Sequence, residues 1–472
     1  MTNNIRREKI VLYNPRAVFY TMPLGLLAVA SALDPECYDV RIIDGRLEKD
    51  PIGRVCEEID EALCLGVSVL TGAPIADALQ VLRGVKERRP DIPTICGGWH
   101  PSLFPVAMLE EPSIDITVQG QGEDSFREIV ERISAGKPLD DVGGIAFRHK
   151  GQVHKNAARP LTAPSGFRQP DYSLIPVERF FELKNRRQFD FISSVGCHFR
   201  CAFCADPFVY GRRWQGLDAD ILDRRINRLW LKYRFTDLNF QDETFFTYKR
   251  RIAEIAEAFL RRGPRFTWAA TMRADQSWRL PEETFRACVE SGLRRVLIGV
   301  ESGSPRIVKL IRKDTTIEQI EAAAERCARY GVAVIFSFIV GFPGETPEDV
   351  QMTVSLIKRL RAMSPDFETP IFYYKPYPGS SLSESVKADL PESLDEWATF
   401  DYVQGAPGPW VAPQTYRFIE RFKFYNRHAW GRGRAATAPL RILSRLRCRF
   451  DLYQAPVEKI LAEGIGAKPR LS

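Results

Sequence analysis

The sequence predicts an α/β protein in which a doubly wound parallel sheet is followed by a partial α/β barrel of TIM type and a small C-terminal region. Three observations carry this expectation. Short β-rich runs alternate with helical patterns to about residue 150, and a second alternation of six strands runs to about residue 380. A Pro-rich passage separates the two. At 472 residues the chain exceeds what one hydrophobic core supports, so more than one domain is expected.

In the first alternation KIVLYNP, YDVRIID, CLGVSVLTG, PTICGGWHP and IDITVQGQGE read as strands. PLGLLAVASALD, the segment around RVCEEIDEA, IADALQVLRGVKERRP and SFREIVERISAG read as helices. Strand, helix and strand in repetition call for crossovers, hence a parallel sheet covered on both faces, and place a first domain at 8–150. The irregular passage GGIAFRHKGQVHKNAARPLTAPSGFRQPDYSLIP, with one short hairpin pattern, marks a connector at 151–185.

The second alternation has strands in FDFISSVGC, TDLNFQD, FTWAATMR, RRVLIGVES, VAVIFSFIVGFP and ETPIFYYKPYPG, each followed by a helix or loop. It places a barrel at 186–394, with its chemistry at the C-terminal ends of the strands. From 395 to 472 the pattern weakens into aromatic and basic segments. There PLRILSRLRCRFDLY can form an amphipathic basic helix, which either packs its apolar stripe on the barrel or touches an anionic membrane.

With 44% hydrophobic and 27% charged residues the composition is that of an ordinary globular protein. The net charge of +7 is a small excess of 67 basic over 60 acidic residues, concentrated near the C-terminus, so no nucleic-acid partner is expected. The N-terminal MTNNIRREKIVLYNP has no long apolar core, and no run approaches the roughly 18 apolar residues of a membrane span. A cytoplasmic location follows as an expectation; there thiols stay reduced, and clustered cysteines suggest metal or redox chemistry.

SVGCHFRCAFCADPF, residues 194–208, holds such a cluster: Cys197, Cys201 and Cys204. Three thiolates on one loop can share a metal centre and leave one coordination position without a protein donor. A structural zinc site is normally closed by four ligands; no second CxxC-like pair exists here, although His198 adjoins Cys197. A cubane iron–sulfur cluster on three cysteines keeps one iron open for a small molecule.

CxxxCxxC with Phe203 just before the last cysteine, opening a partial barrel after its first strand, resembles the radical S-adenosylmethionine (SAM) superfamily. The resemblance implies a 4Fe-4S cluster on the three cysteines, with SAM at the open iron. Asp242 and Glu243 in LNFQDETFF stand where that superfamily presents polar groups to the SAM amino end, and Arg273 where a charged residue approaches its carboxylate. LIGVESGS is similar to the fourth-strand motif, whose carboxylate, here Glu301, accepts from a ribose hydroxyl; SFIVGFPGET resembles the glycine-containing motif near the adenine. Taken singly, these are also ordinary scaffold: turn glycines, a helix-capping acid, a solvated strand end. Their order behind CxxxCxxC joins them.

The first domain has no GxGxxG, but its strand ends are small and polar: Ser68, Thr71 and Gly72; Gly97, Gly98 and His100; Gly120, Gly122 and Glu123. Such residues at the carboxyl ends of parallel strands let a flat, large ligand approach the sheet edge. PLGLLAVASAL, GGWHP and GQGE ahead of such a barrel resemble the cobalamin-binding domain of the cobalamin-dependent (class B) radical SAM methyltransferases. The DxHxxG signature of other cobalamin-binding folds is missing. His100 is expected to bind the corrin side chains, to cap its loop, or to approach the cobalt.

The resemblance implies three cofactors, the 4Fe-4S cluster, SAM and cobalamin, and methylation of an unactivated carbon on a small-molecule or lipid-like substrate. It also implies an electron donor such as flavodoxin or ferredoxin. A cobalamin-dependent cyclase or oxidoreductase without methyl transfer is the alternative. An RNA methylthiotransferase would bring further cluster cysteines, whereas Cys37, Cys56, Cys64 and Cys96 are spread over different elements as core thiols would be. A non-catalytic iron–sulfur or cobalamin sensor would need no SAM motifs.

Overall fold

A computed structural model describes residues 7–263, 265–377, 379–400, 407–430 and 438–464. The chain forms two compact units, the first drawn from Met1–Phe245, Arg250–Trp268 and Pro376–Asp401, the second from Phe246–Lys249, Ala269–Lys375 and Tyr402–Ser472.

The first unit opens with β1 (Glu8–Asn14), α1 (Leu24–Ala32), β2 (Tyr38–Asp44), α2 (Pro51–Ile59), β3 (Ala62–Ser68), α3 (Pro74–Arg88), β4 (Thr94–Gly97), α4 (Trp99–Leu103), β5 (Ile116–Val118) and α5 (Glu123–Ser134). The hairpin β6 (Ile145–His149) and β7 (Gln152–Lys155) completes a seven-stranded sheet of order β2-β1-β3-β4-β5-β6-β7. Strands β1 to β5 pair in parallel, and the hairpin adds antiparallel at the β5 edge. The expected end of the first domain, residue 150, falls at the tip of this hairpin.

Alternation along β1 shows why the sheet is doubly wound. Ile10 and Leu12 join a core with Leu26 of α1 and Phe126, Ile129 and Val130 of α5. Val11 and Tyr13 face the other way, into a core with Val55 and Ile59 of α2 and Leu79 and Leu82 of α3. Both faces are covered, so the strands read as near-continuous apolar runs. Cys64 and Cys96 are buried in these cores, while Cys56 is half-buried and Cys37, in the turn before β2, is exposed.

The first unit continues with α6 (Val177–Leu183), β8 (Gln188–Phe191), β9 (Ser194–Gly196), α7 (Asp206–Val209), β10 (Trp214–Gly216), α8 (Ala219–Tyr233), β11 (Asp237–Phe240) and most of α9 (Lys249–Arg262). β8 and β11 pair in parallel; β9 and β10 form a small antiparallel ribbon. Asp190 on β8 fastens the N-terminal segment, accepting from the Met22 amide at 2.9 Å and pairing with Lys184.

The boundary between the units runs through β12 (Thr267–Met272). The second unit holds α10 (Ala274–Arg279), α11 (Glu282–Glu290), β13 (Leu293–Glu301), α12 (Pro305–Leu310), α13 (Ile317–Arg329), β14 (Ala333–Val340), α14 (Pro347–Met363), β15 (Phe367–Glu368) and β16 (Ile371–Tyr373). β14 pairs in parallel with β13, β15 and β16. The last expected strand is thus two short pieces, split at Thr369 and Pro370, where proline has no amide proton for the ladder.

The expected C-terminal region is divided. α15 (Leu394–Ala398) belongs to the first unit, where Trp397 joins the core under α2 and α3. α16 (Pro413–Ala429), α17 (Ala438–Phe450) and α18 (Val457–Gly464) belong to the second. Residues 401–406, 431–437 and 465–472 of that region lie outside the described residues.

Candidate active site

The three cysteines lie on the loop between β9 and α7, carried by the β9–β10 ribbon. Gly196, immediately before Cys197, has φ +85°, and a Cβ there would stand 2.4 Å from the Arg213 carbonyl oxygen, so the ribbon closes only around glycine. Residues 379–400 return to brace the loop: the Leu382 amide donates to the Ala202 carbonyl at 2.8 Å. Gly379 leaves room for the Phe208 ring, which a Cβ would meet at 2.5 Å. Phe203 is half-buried on the loop.

Burial raises the Cys204 thiol pKa well above its ordinary value. A thiolate is held at such a place by coordination to a cation. Among the described residues no group of three or more His, Cys, Asp or Glu is gathered closely enough to hold one metal ion. A cubane makes no such demand, because each thiolate binds an iron of its own.

Asp242 and Glu243 follow β11. The Asp242 carboxylate accepts from the Ser193 amide at 2.7 Å, the Ser193 hydroxyl at 2.6 Å and the Ser194 hydroxyl at 2.5 Å. Burial nonetheless raises its pKa, against the opposing charge of Arg251. Asp242 therefore fixes the base of the cysteine ribbon. Glu243 accepts from the Gly196 amide at 3.2 Å and the Tyr210 hydroxyl at 3.4 Å. Burial, and then the charge of Asp206, push its pKa up to about 8.

A cavity of about 530 Å³ lies within the first unit, between the carboxyl ends of β1, β3, β4 and β5 and the start of the cysteine half. Ser68, Gly97, Gly98, Gly120, Gly122, Glu123 and Glu243 line it. It is a cradle that side chains would fill: a Cβ on Gly97 would meet only Val118 at 3.9 Å, and one on Gly25 only Ser68 at 4.0 Å. Trp99 and Tyr210, edge to face at 5.8 Å between ring centroids, line the cavity too; Trp99 lies within GGWHP, whereas no local motif announces Tyr210.

Thr71, Gly72 and His100 are absent from that lining. The His100 ring is wholly buried on the α3 side, with Nδ1 3.2 Å from the Thr71 hydroxyl and the rings of Phe104 and Trp397 at 5.0 and 5.6 Å. Burial lowers its pKa to about 4, so it is a neutral core residue. These three therefore stand apart from the cavity lining: a strand-end position does not say which face of the sheet a side chain takes.

In the second unit, Arg273 and Glu301 are buried at the ends of β12 and β13. Arg273 Nε donates to Asp275 at 2.8 Å. Glu301 has φ +67°, a strained backbone for a side-chain-bearing residue, and pairs with the buried Lys313 at 2.7 Å. A Cβ on Gly299 would stand 2.4 Å from the Glu301 carboxylate and 2.9 Å from Lys313 Nζ, so the glycine makes room for the pair. Lys313 escaped sequence reading because it lies on a separate loop. In the fifth-strand motif the Gly341 carbonyl accepts from Trp410 Nε1 at 2.7 Å.

Residues 191–357 match the model of the radical SAM superfamily, and residues 12–130 that of the B12 binding domain. An uncharacterized methyltransferase of Pyrococcus horikoshii is 31% identical, over 77% of this chain and 78% of its own length. The chain belongs to the cobalamin-dependent radical SAM enzymes. Cytidylyl-2-hydroxyethylphosphonate methyltransferase of Streptomyces wedmorensis is 25% identical over 88% of this chain and 89% of its own. The same fold occurs in the radical SAM methyltransferase TsrM of Kitasatospora setae, with TM-score 0.72 and 16% identity over 98% of this chain and 100% of that one. The cofactors of the enzyme are accordingly a 4Fe-4S cluster, SAM and cobalamin, and the cysteine loop and glycine-lined cavity fit the first and the last.

Proposed function

We propose that this enzyme methylates an unactivated carbon of a small-molecule or lipid-like substrate, drawing electrons from a reduced donor protein. When bound, the cluster, SAM and cobalamin supply a carbon-centred radical and a transferable methyl group. The observation that carries the proposal is the cavity that ends, within one unit, on Glu243 and Tyr210 beside the cysteine ribbon. On this reading Cys197, Cys201 and Cys204 hold the cluster, and Ser68, Gly97, Gly98, Gly120, Gly122 and Glu123 form the corrin cradle. Arg273 and Glu301 bind SAM, with Lys313 aiming the Glu301 carboxylate through their 2.7 Å contact. Asp242 is a positioning residue for the ribbon, and Trp99 and Tyr210 wall the cavity against water.

The test is anaerobic reconstitution with cobalamin, followed by turnover with candidate substrates. Methyl transfer consumes SAM in two ways, leaving 5'-deoxyadenosine and S-adenosylhomocysteine in equal amounts. A cyclase would release 5'-deoxyadenosine alone, and that product pattern would overturn methyl transfer. With His100 turned into the core, the Co(II) state should show no nitrogen coupling from a protein axial base.

A further inference from the structure

α17 is mounted with its apolar side outward. Ser444 and Cys448 are its buried residues, at 0% and 1% exposure, whereas Ile442, Leu446 and Phe450 are 58%, 47% and 59% exposed. Spaced four apart, the last three form one stripe, on the opposite side of the helix from Ser444 and Cys448. The arrangement inverts the usual one, in which the apolar stripe packs on the protein and the polar face meets water. Apolar exposure continues past the helix at Leu452, Val457 and Ile460, at 57%, 55% and 62%.

Arg441, Arg445 and Arg449 each precede a member of the stripe by one residue and form a second row along its edge. Arg445 Nε donates to the Ala429 carbonyl at 2.7 Å, and the Arg449 guanidinium lies 5.6 Å from the Phe450 ring centre. The neighbouring carboxylates are already matched, Asp451 by Lys358 at 2.6 Å and Glu458 by Arg447 at 2.9 Å. Arg445 and Arg449 thus set guanidinium groups along the edge of the stripe.

A stripe of aliphatic and aromatic side chains edged by arginines is complementary to a bilayer of anionic phospholipid. The apolar groups enter the boundary of the acyl chains while the guanidinium groups reach the phosphates. No described helix is long and apolar enough to cross a membrane, so such a contact lies in the plane of the interface. We propose that α17 and the start of α18 seat this protein on the surface of an anionic phospholipid membrane. The proposal is independent of the reaction chemistry, and its failure would leave the methyl-transfer reading untouched.

Flotation of the purified full chain with vesicles tests it. The protein should rise with phosphatidylcholine vesicles containing about a third phosphatidylglycerol and stay behind with phosphatidylcholine alone; raising salt from about 0.1 to 0.5 M should weaken binding roughly tenfold. The triple variant Ile442→Ser, Leu446→Ser, Phe450→Ser removes only exposed groups, so its melting should be unchanged while vesicle affinity falls about tenfold or more. Arg445→Gln with Arg449→Gln should lose the salt-sensitive part alone. Unaltered flotation of the triple variant, or no binding to anionic vesicles, would overturn the proposal. So would a concentration-dependent dimer, seen by light scattering, that the triple variant abolishes: the face would then belong to a second copy of the chain.

Discussion

Glu301 and Lys313 show how much a single buried pair commits. With side chains 6% and 8% exposed, the two groups are shut off from water and pair with each other at 2.7 Å. Lys313→Met strands a carboxylate and should cost about 3 kcal/mol in urea unfolding, while Glu301→Gln in the same chain should restore part of that loss. A double-mutant cycle that closes without coupling would remove the pair from the account. His100 is the opposite case, a buried group without a charge. Its pKa of 6.5 when unfolded falls to about 4 when folded, so between those values the unfolded chain binds the extra proton. Stability is full above pH 6.5 and drains as pH falls toward 4, by about 2 kcal/mol between pH 7.5 and 5. His100→Asn should flatten that slope, and an unchanged slope would assign the acid sensitivity elsewhere.

Individual elements act through their junctions. The cysteine ribbon turns on Gly196, where alanine would meet the Arg213 carbonyl and adopt an unfavourable φ. Gly196→Ala should therefore lower iron incorporation per chain several-fold at unchanged overall fold, read by iron assay and circular dichroism. Trp397 of α15 is 3% exposed in the core under α2 and α3, and Trp397→Ala should cost about 3–5 kcal/mol in the unfolding of the first unit. These junctions mark where sequence reading stops. Periods of two and 3.6 made the strands and helices legible, and the cysteine spacing made the three-cysteine loop legible, because both signals are local. The return of Trp397 and Leu382 to the first unit depends on residues far apart in the chain, and the Lys313–Glu301 pair, only 12 residues apart, depends on a loop path that no period announces. The α17 stripe was legible as a stripe, but its outward mounting was not, since periodicity gives a face without saying what lies against it.

For the whole molecule, the question is whether the two cofactor regions proposed for the first unit can be separated experimentally. The cysteine ribbon is held by the Ser193–Asp242 hydrogen bonds and by the Leu382 amide on the Ala202 carbonyl, none of them made by a strand-end glycine of the first sheet. The cradle is made by glycines whose missing side chains leave space. Gly97 is the better probe, because its φ is ordinary and a Cβ there would have one neighbour, Val118 at 3.9 Å. Leucine at this position is tolerated by the backbone and fills the cavity instead of straining the sheet. Gly97→Leu should thus melt within a few degrees of the parent and bind iron at the parental ratio, yet lose cobalamin affinity by about tenfold or more through simple exclusion. Titration of cobalamin absorbance, with iron assay on the same sample, reads both quantities at once. Cobalamin lost together with iron would mean that the cradle and the ribbon fold as one cooperative site; parental cobalamin binding would move the corrin out of this cavity altogether. The expected split, iron kept and cobalamin lost, would leave a chain still able to release 5'-deoxyadenosine from SAM but unable to form S-adenosylhomocysteine, separating radical formation from methyl delivery in one substitution.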